Sequence, residues 1–478
     1  ADAGYFDVAQ TTETVITQTD GQPTDNTVTI TAEGGATAEV TLDNVNIDAS
    51  STPKNDAKAA VSTNADDDSN VVIELDGDNV LKGGDGRAAL ETTSGSVTIQ
   101  DETGEAGSLD ATGGAYAAGI GGRFLGDGDV TINGGTIDAR GGSNAAGIGG
   151  GTGDWIYWLE GNVVTNSEIA RHYQIGPFPY DSGDGHGVGK VTINGGKVTA
   201  TGGNRAQAIG GGCGGEAEIS ITGGEVTAKR APLGGAFSSS AWFEGGIGGG
   251  WMKDGTVSIS GGKVYSEGVI GNNVDISGGE VDARGSIGGS GAYYENPKCE
   301  GEYQGRCDVV IRGGKVTARR YGNAAIGAGW DTRHIDKENI IICEDAEVKV
   351  THGAYYNGIG GSDEANVNTD CLFTTGSIDG VHGTVTAHDY GDWTQCDDGT
   401  EHRSCARCGL EQVRGQQDGK PDDEDKDGGQ SAKAARPAAD EDAFLTIYTV
   451  TDLDGKDVEF TAVGADGALT ITVNDSAA

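Results

Sequence analysis

Apolar and polar residues alternate along this chain in short bursts separated by paired glycines, most cleanly in Val130 to Gly151, VTINGGTIDARGGSNAAGIGGG. Val130-Thr131-Ile132 and Ile137-Asp138-Ala139 each have the period of a half-buried strand. Gly134-Gly135 lies between them, where a chain turning a corner needs positive φ without steric cost. Gly141-Gly142 makes a second corner, and Ala145 to Gly149 reads as a third strand of small residues. One copy is a coil of three strands and three corners. Such a coil cannot bury its own apolar face, so copies must stack.

The paired glycine recurs at Gly195-Gly196, Gly223-Gly224, Gly261-Gly262, Gly278-Gly279 and Gly313-Gly314, with Val or Ile on both sides. The third strand recurs around Ile120, Ile148, Ile209, Ile247, Ile270, Ile287, Ile326 and Ile359. The pattern predicts an all-β protein, a right-handed parallel β-helix with three short strands per coil and inserted loops on one edge. The register is predicted by Lys197, Glu225, Lys263, Glu280, Lys315 and Glu347, which hold equivalent places beyond the corners. Stacked coils lie roughly 4.8 Å apart, so these side chains form one outward column of alternating charge.

Composition narrows the partners. The 478 residues include 86 Gly, and 74 acids against 32 bases give a net charge of -42, which repels nucleic acid and anionic membranes. No run of about 18 apolar residues is present, so membrane insertion is not expected. Eight cysteines and a single Met suit an exported protein, and Ala1-Asp2-Ala3 suits a chain whose signal has been removed.

Residues 1–25 are polar and read as a lead-in that caps the helix, which itself runs over 26–387. Asp66-Asp67-Asp68, Asp76, Asp78, Asp85, Asp127 and Asp129 cluster near turns; calcium is one reading and solvated turns the other. EVTLDNVNIDAS, SNVVIELDGDNVLKGG and the AAGIGGG and VTINGGTIDA coils resemble surface β-helix proteins of clostridia and other Gram-positive bacteria. That resemblance implies a carbohydrate-binding domain at the cell surface or outside it, with calcium as a reported companion. No organic cofactor is expected.

Insertions at 151–188, 251–255, 290–306, 330–338 and 361–371 interrupt the regular coils after the third strand. Others follow the second strand. Together they hold Trp155, Trp158, Tyr173, Tyr180, Trp242, Phe243, Trp330, Tyr355 and Tyr356, the candidates for carbohydrate binding. Aromatic rings stack on sugar faces, although they also form small cores that hold loops together. The same insertions carry Asp331, Glu338, Asp363 and Asp370. A glycoside hydrolase needs two carboxyls about 5–5.5 Å or 6.5–9.5 Å apart, and these acids are the catalytic candidates of the alternative reading, a glycoside hydrolase or polysaccharide lyase. A structural or adhesive stalk is the third reading.

Cys299 and Cys307 bracket one insertion and are expected to close it with a disulfide; Cys343 and Cys371 lie about one coil apart; Cys213 has no evident partner. A small Cys-rich module follows at 388–412. Its His388, Trp393, Cys396 and Cys405-x-x-Cys408-Gly409 resemble a module of gut Gram-positive surface proteins. His388, Cys396, Cys405 and Cys408 suit tetrahedral zinc, with His402 as another fourth ligand; one disulfide and a free thiol is the rival. Residues 413–442 form an acidic linker too poor in apolar residues to order itself. Residues 443–478 read as strands with turns at Asp454-Gly455 and Asp466-Gly467, too short for an independent core.

Overall fold

The computed structural model describes residues 6–9, 14–18, 21–52, 56–66, 69–102, 106–153, 156–159, 162–165, 187–230, 246–250, 253–288, 305–320, 324–327, 335–343, 346–352, 359, 366–368, 391–395, 401–404, 411–414, 447–451, 457–465 and 468–473. Its contacts divide the chain into Ala1–Val385 and Thr386–Ala478.

The first unit is a right-handed parallel β-helix. Each regular coil contributes one strand to each of three faces. Among the described residues the first face has twelve strands, the second ten, and the third eight, continued by single bridges at Ile270, Ile287, Ile326 and Ile359. In the coil that displays the pattern most cleanly, these strands are Gly128–Ile132, Thr136–Arg140 and Ile148–Gly149. The third is shorter than the expected Ala145–Gly149, because Ala145 and Ala146 belong to the corner that precedes it. The first coil begins earlier than expected. Phe6–Ala9 pairs with Val28–Ala32 and Thr14–Thr17 with Thr37–Asp43, so the lead-in is itself part of the helix.

Alternation places one apolar set inside. On the first face, Ile99, Ile132, Ile193, Ile221, Ile259, Ile276, Ile311 and Ile342 stand in register and are buried. On the third face Ile120, Ile148, Ile209 and Ile247 do the same, followed by the four bridging isoleucines. Each fully buried isoleucine contributes about 1.5–3 kcal/mol, and none achieves that burial within its own coil. The paired glycines serve two needs. Gly196 has φ 81°, while a Cβ on Gly195 would lie 2.3 Å from the Asn133 carbonyl oxygen of the previous coil.

The charged column has the expected register: Lys197, Glu225, Lys263, Glu280, Lys315 and Glu347 are successive partners on the second face. All six are exposed, and among the described residues no ion pair joins two of them. Close ion pairs lie elsewhere on the coils: Lys82 meets Asp48 directly opposite it at 2.9 Å, and others run diagonally. Arg140 reaches Asp110 of the preceding coil at 2.9 Å, and Arg319 reaches Asp282 at 3.0 Å. The long guanidinium arms span the diagonal, whereas the Lys and Glu heads of this column stay solvated. Changing Glu280 to Lys puts three like charges in sequence and should cost about 1 kcal/mol or less in urea denaturation. Glu33→Lys, in an exposed turn outside the column, should cost less. Equal midpoints for the two variants would show that the alternation is energetically idle.

In the second unit, Thr394–Gln395, Glu401–Ser404 and Glu411–Arg414 form one antiparallel sheet, with the Arg403 guanidinium 4.5 Å from the Trp393 ring centre. Ile447–Thr451, Asp457–Ala465 and Ala468–Val473 form another. Ala465 pairs with Ala468, and Asp466 and Gly467 lie outside the described residues.

Candidate functional site

The third face is too narrow to be a surface. Its regular strands are two residues long, Ile followed by Gly, and the corners on either side close over them. Within a coil the amide of Ala118 donates to the Gly122 carbonyl at 2.9 Å, that of Ala146 to Gly150 at 3.0 Å, and that of Gln207 to Gly211 at 3.3 Å. Between coils the Phe124 amide donates to the Gly86 carbonyl, Thr152 to Tyr116, and Cys213 to Asn144. The accepting residues share left-handed backbone, with φ 75° at Gly86, 67° at Tyr116 and 61° at Asn144. That conformation costs a tyrosine strain that glycine avoids. In return, its carbonyl meets the next coil. The Tyr116 and Phe124 rings touch edge to face, 5.7 Å between centres, so the two corners of one coil are in contact. The third face is therefore a ridge.

The insertions start from this ridge. Those that follow Gly153, Gly250, Gly288, Gly327 and Ile359 leave from its corner with the first face. Those that follow Arg230, Arg320 and His352 leave from its corner with the second. Two sets that the sequence separates by chain position thus share one base.

Of the sugar-binding candidates, Trp158 lies in the strand Ile156–Leu159, which pairs with Asn162–Thr165 as a hairpin; its partner is Val163. Trp155, Tyr173, Tyr180, Trp242, Phe243, Trp330, Tyr355 and Tyr356 lie outside the described residues. So do Asp331, Asp363 and Asp370, and all four candidate zinc ligands. Glu338, read from sequence as part of an insertion, belongs instead to the strand Ile335–Ile342, opposite Cys307. A register shift between Gly305 and Arg306 brings Ile335 and Lys337 opposite them and skips Asp336, so the strand starts before the expected end of the insertion. The segments carrying Cys396 and Cys405 leave from Gln395 and Ser404, at opposite ends of the strand Glu401–Ser404. His402 is central in that strand, opposite Thr394 and Val413. Cys307 and Cys343 are buried in the helix, as is Cys213; Cys299 and Cys371 lie outside the described residues. Among the described residues no three His, Cys, Asp or Glu side chains gather as a metal site. Asp66 and Asp127 accept from the Gly34 and Val188 amides, and Asp129 pairs with Lys190 at 3.0 Å.

One buried charge lies outside every sequence motif described above. Glu91 stands at the position of Gly121, Gly149 and Gly210 in later coils and is fully buried. Here the strand continues through Leu90–Ser94 instead of turning back, so no backbone carbonyl meets the Ala88 amide. The Glu91 carboxylate meets it, at 3.2 Å. Arg87 Nη2 is 2.9 Å from the other carboxylate oxygen, which lacks an aligned hydrogen bond, so that contact is mainly ionic. Burial pushes the Glu91 carboxyl up; Arg87 and Arg123, the Ala88 amide and Thr93 pull it back in part. A charged residue within a glycine column is the signal that would have marked it.

Residues 130–152, 191–213, 219–251 and 309–330 match the model of the beta helix repeat. This is a parallel β-helix protein. The matched stretches amount to about a fifth of the chain; the first two each run from a strand of the first face to the buried Thr152 or Cys213 on the ridge. No curated protein and no solved structure matches the β-helix.

Proposed function

We propose that this β-helix is a glycan-recognition protein of the cell exterior that binds carbohydrate through the insertions along its ridge. The carrying observation is the common base of both insertion sets, because variable loops on a rigid scaffold are where recognition is built. The sequence puts Trp155, Trp158, Tyr173 and Tyr180 into the first insertion, Trp242 and Phe243 into the one after Arg230, and Trp330, Tyr355 and Tyr356 into later ones. Such rings offer sugar faces a large apolar contact at little cost in side-chain freedom. The net charge of -42 supports a partner other than nucleic acid or an anionic bilayer.

Trp158→Ala tests the reading. On a glycan array with the full chain, binding should fall at least about tenfold while Tm stays within a few degrees, since one surface ring carries a disproportionate share of contact energy. A ring that serves only as loop core would instead cost about 3–5 kcal/mol of stability. Unchanged glycan binding by the variant would remove the first insertion from the site, and absence of binding by the parent chain would reject the function.

A further inference from the structure

The ridge has a gap. Between the insertions at 231–245 and 321–323, the chain passes from the second face to Ile270 through Glu267–Val269, and to Ile287 through Arg284–Ser286, without inserted residues. The second face beside this gap holds an unexpected ring. Tyr265 stands in a column with Asp138, Thr199, Thr227, Asp282 and Thr317. Arg284 of the next coil is exposed and lies over that ring, 5.4 Å from its centre.

Ala283 pairs with Ala318, so Arg284 and Arg319 follow each other in register. Like charges in that relation disfavour the fold unless something anionic joins them. Asp282 occupies part of Arg319, at 3.0 Å. Among the described residues no carboxylate pairs with Arg284, in a chain with 74 acids and 32 bases. The aromatic face holds the Arg284 guanidinium by cation–π attraction and leaves its N–H fork for a ligand.

We infer that Tyr265, Arg284 and Arg319 form an anion-recognising subsite for a sugar's carboxylate or sulfate group. This rests on the glycan-binding reading and adds a charge preference to it. Guanidinium groups recognise either oxyanion through paired, charge-assisted hydrogen bonds, so the chemistry is shared and the source is separable by experiment.

The test titrates the full chain with one oligosaccharide backbone in three forms: neutral, carboxylated and sulfated. At least one charged form should bind about tenfold tighter than the neutral form, an advantage that falls with added salt. Arg284→Gln, at an exposed position, should remove that advantage while neutral binding and Tm are retained. Tyr265→Leu should reduce it in the same direction. Whichever charged form shows the effect identifies the group. Neutral and charged forms bound equally would overturn the subsite and leave glycan recognition standing; the same holds if Arg284→Gln keeps the preference. Binding of none of the three forms, with no binding on the array, would overturn both.

Discussion

Replacing Gly149 by alanine should destabilise the helix by at least about 3 kcal/mol, more than any exposed substitution in the chain. Two independent causes act there. The backbone has φ 124°, a region that residues with a Cβ essentially do not enter. A Cβ would also lie 2.2 Å from the Gly210 carbonyl oxygen of the next coil. Neither cause is relieved by a side-chain shift, because the obstacle is backbone. The strain repeats up the ridge, with φ 125° at Gly121, 123° at Gly210 and 142° at Gly248. Gly35 is the control: φ is 79° but nothing lies within 4 Å of the added carbon. Gly35→Ala should therefore cost only about 1–2 kcal/mol, the ordinary penalty of left-handed backbone. Urea denaturation of both variants separates the two causes. Since solenoids can unfold in parts, hydrogen exchange at Ile120, Ile148 and Ile209 should report the Gly149 lesion directly. Equal midpoints for the two variants would mean that the coils can move apart to admit a methyl group.

Periodicity exposed the scaffold because the scaffold is periodic. A two-residue alternation and glycine corners recur at each coil, so Ile132, Ile193 and Ile221 mark the first face before any coordinate is known. The charge column followed from the same register. Its pairing did not follow, because Lys and Glu on an exposed strand gain little by leaving water. The ridge was hidden for another reason. Its closure depends on left-handed backbone at Tyr116 and Asn144; a tyrosine gives no sign of φ above zero, and an asparagine a weaker one than glycine. Sequence counted two rows of insertions where the fold gives one base. Tyr265 and Arg284 are each an ordinary outward residue in the sequence; only their stacking across two coils joins them. Glu338 has the look of loop in the sequence because its acidic neighbours conceal the Ile335–Ile342 strand.

Glu91→Ala should cost about 3–5 kcal/mol, the loss seen when one partner of a buried ion pair is removed. Three deficits add up: the Ala88 amide loses its acceptor, Arg87 loses its counter-charge, and a cavity opens beside Leu90. Glu91→Gln keeps an acceptor and most of the volume, so it should cost far less. The two also separate by pH. Burial holds the folded-state carboxyl above its ordinary value near 4.5, so the fold favours its protonated form. The resulting stability is fully present below the unfolded-state value and is lost as pH rises through the folded-state value. Relative to the parent, Glu91→Gln should therefore gain stability over that rise and level off above it. Urea midpoints at a series of pH values from 4 upward measure the difference. A Gln variant that instead falls progressively behind the parent as pH rises would mean that Arg87 and Arg123 outweigh burial, and that the carboxyl is held down in the fold. An alanine variant within about 1 kcal/mol of the parent would mean that water or a backbone shift satisfies the Ala88 amide, leaving the carboxylate no structural task in the coil where the ridge begins.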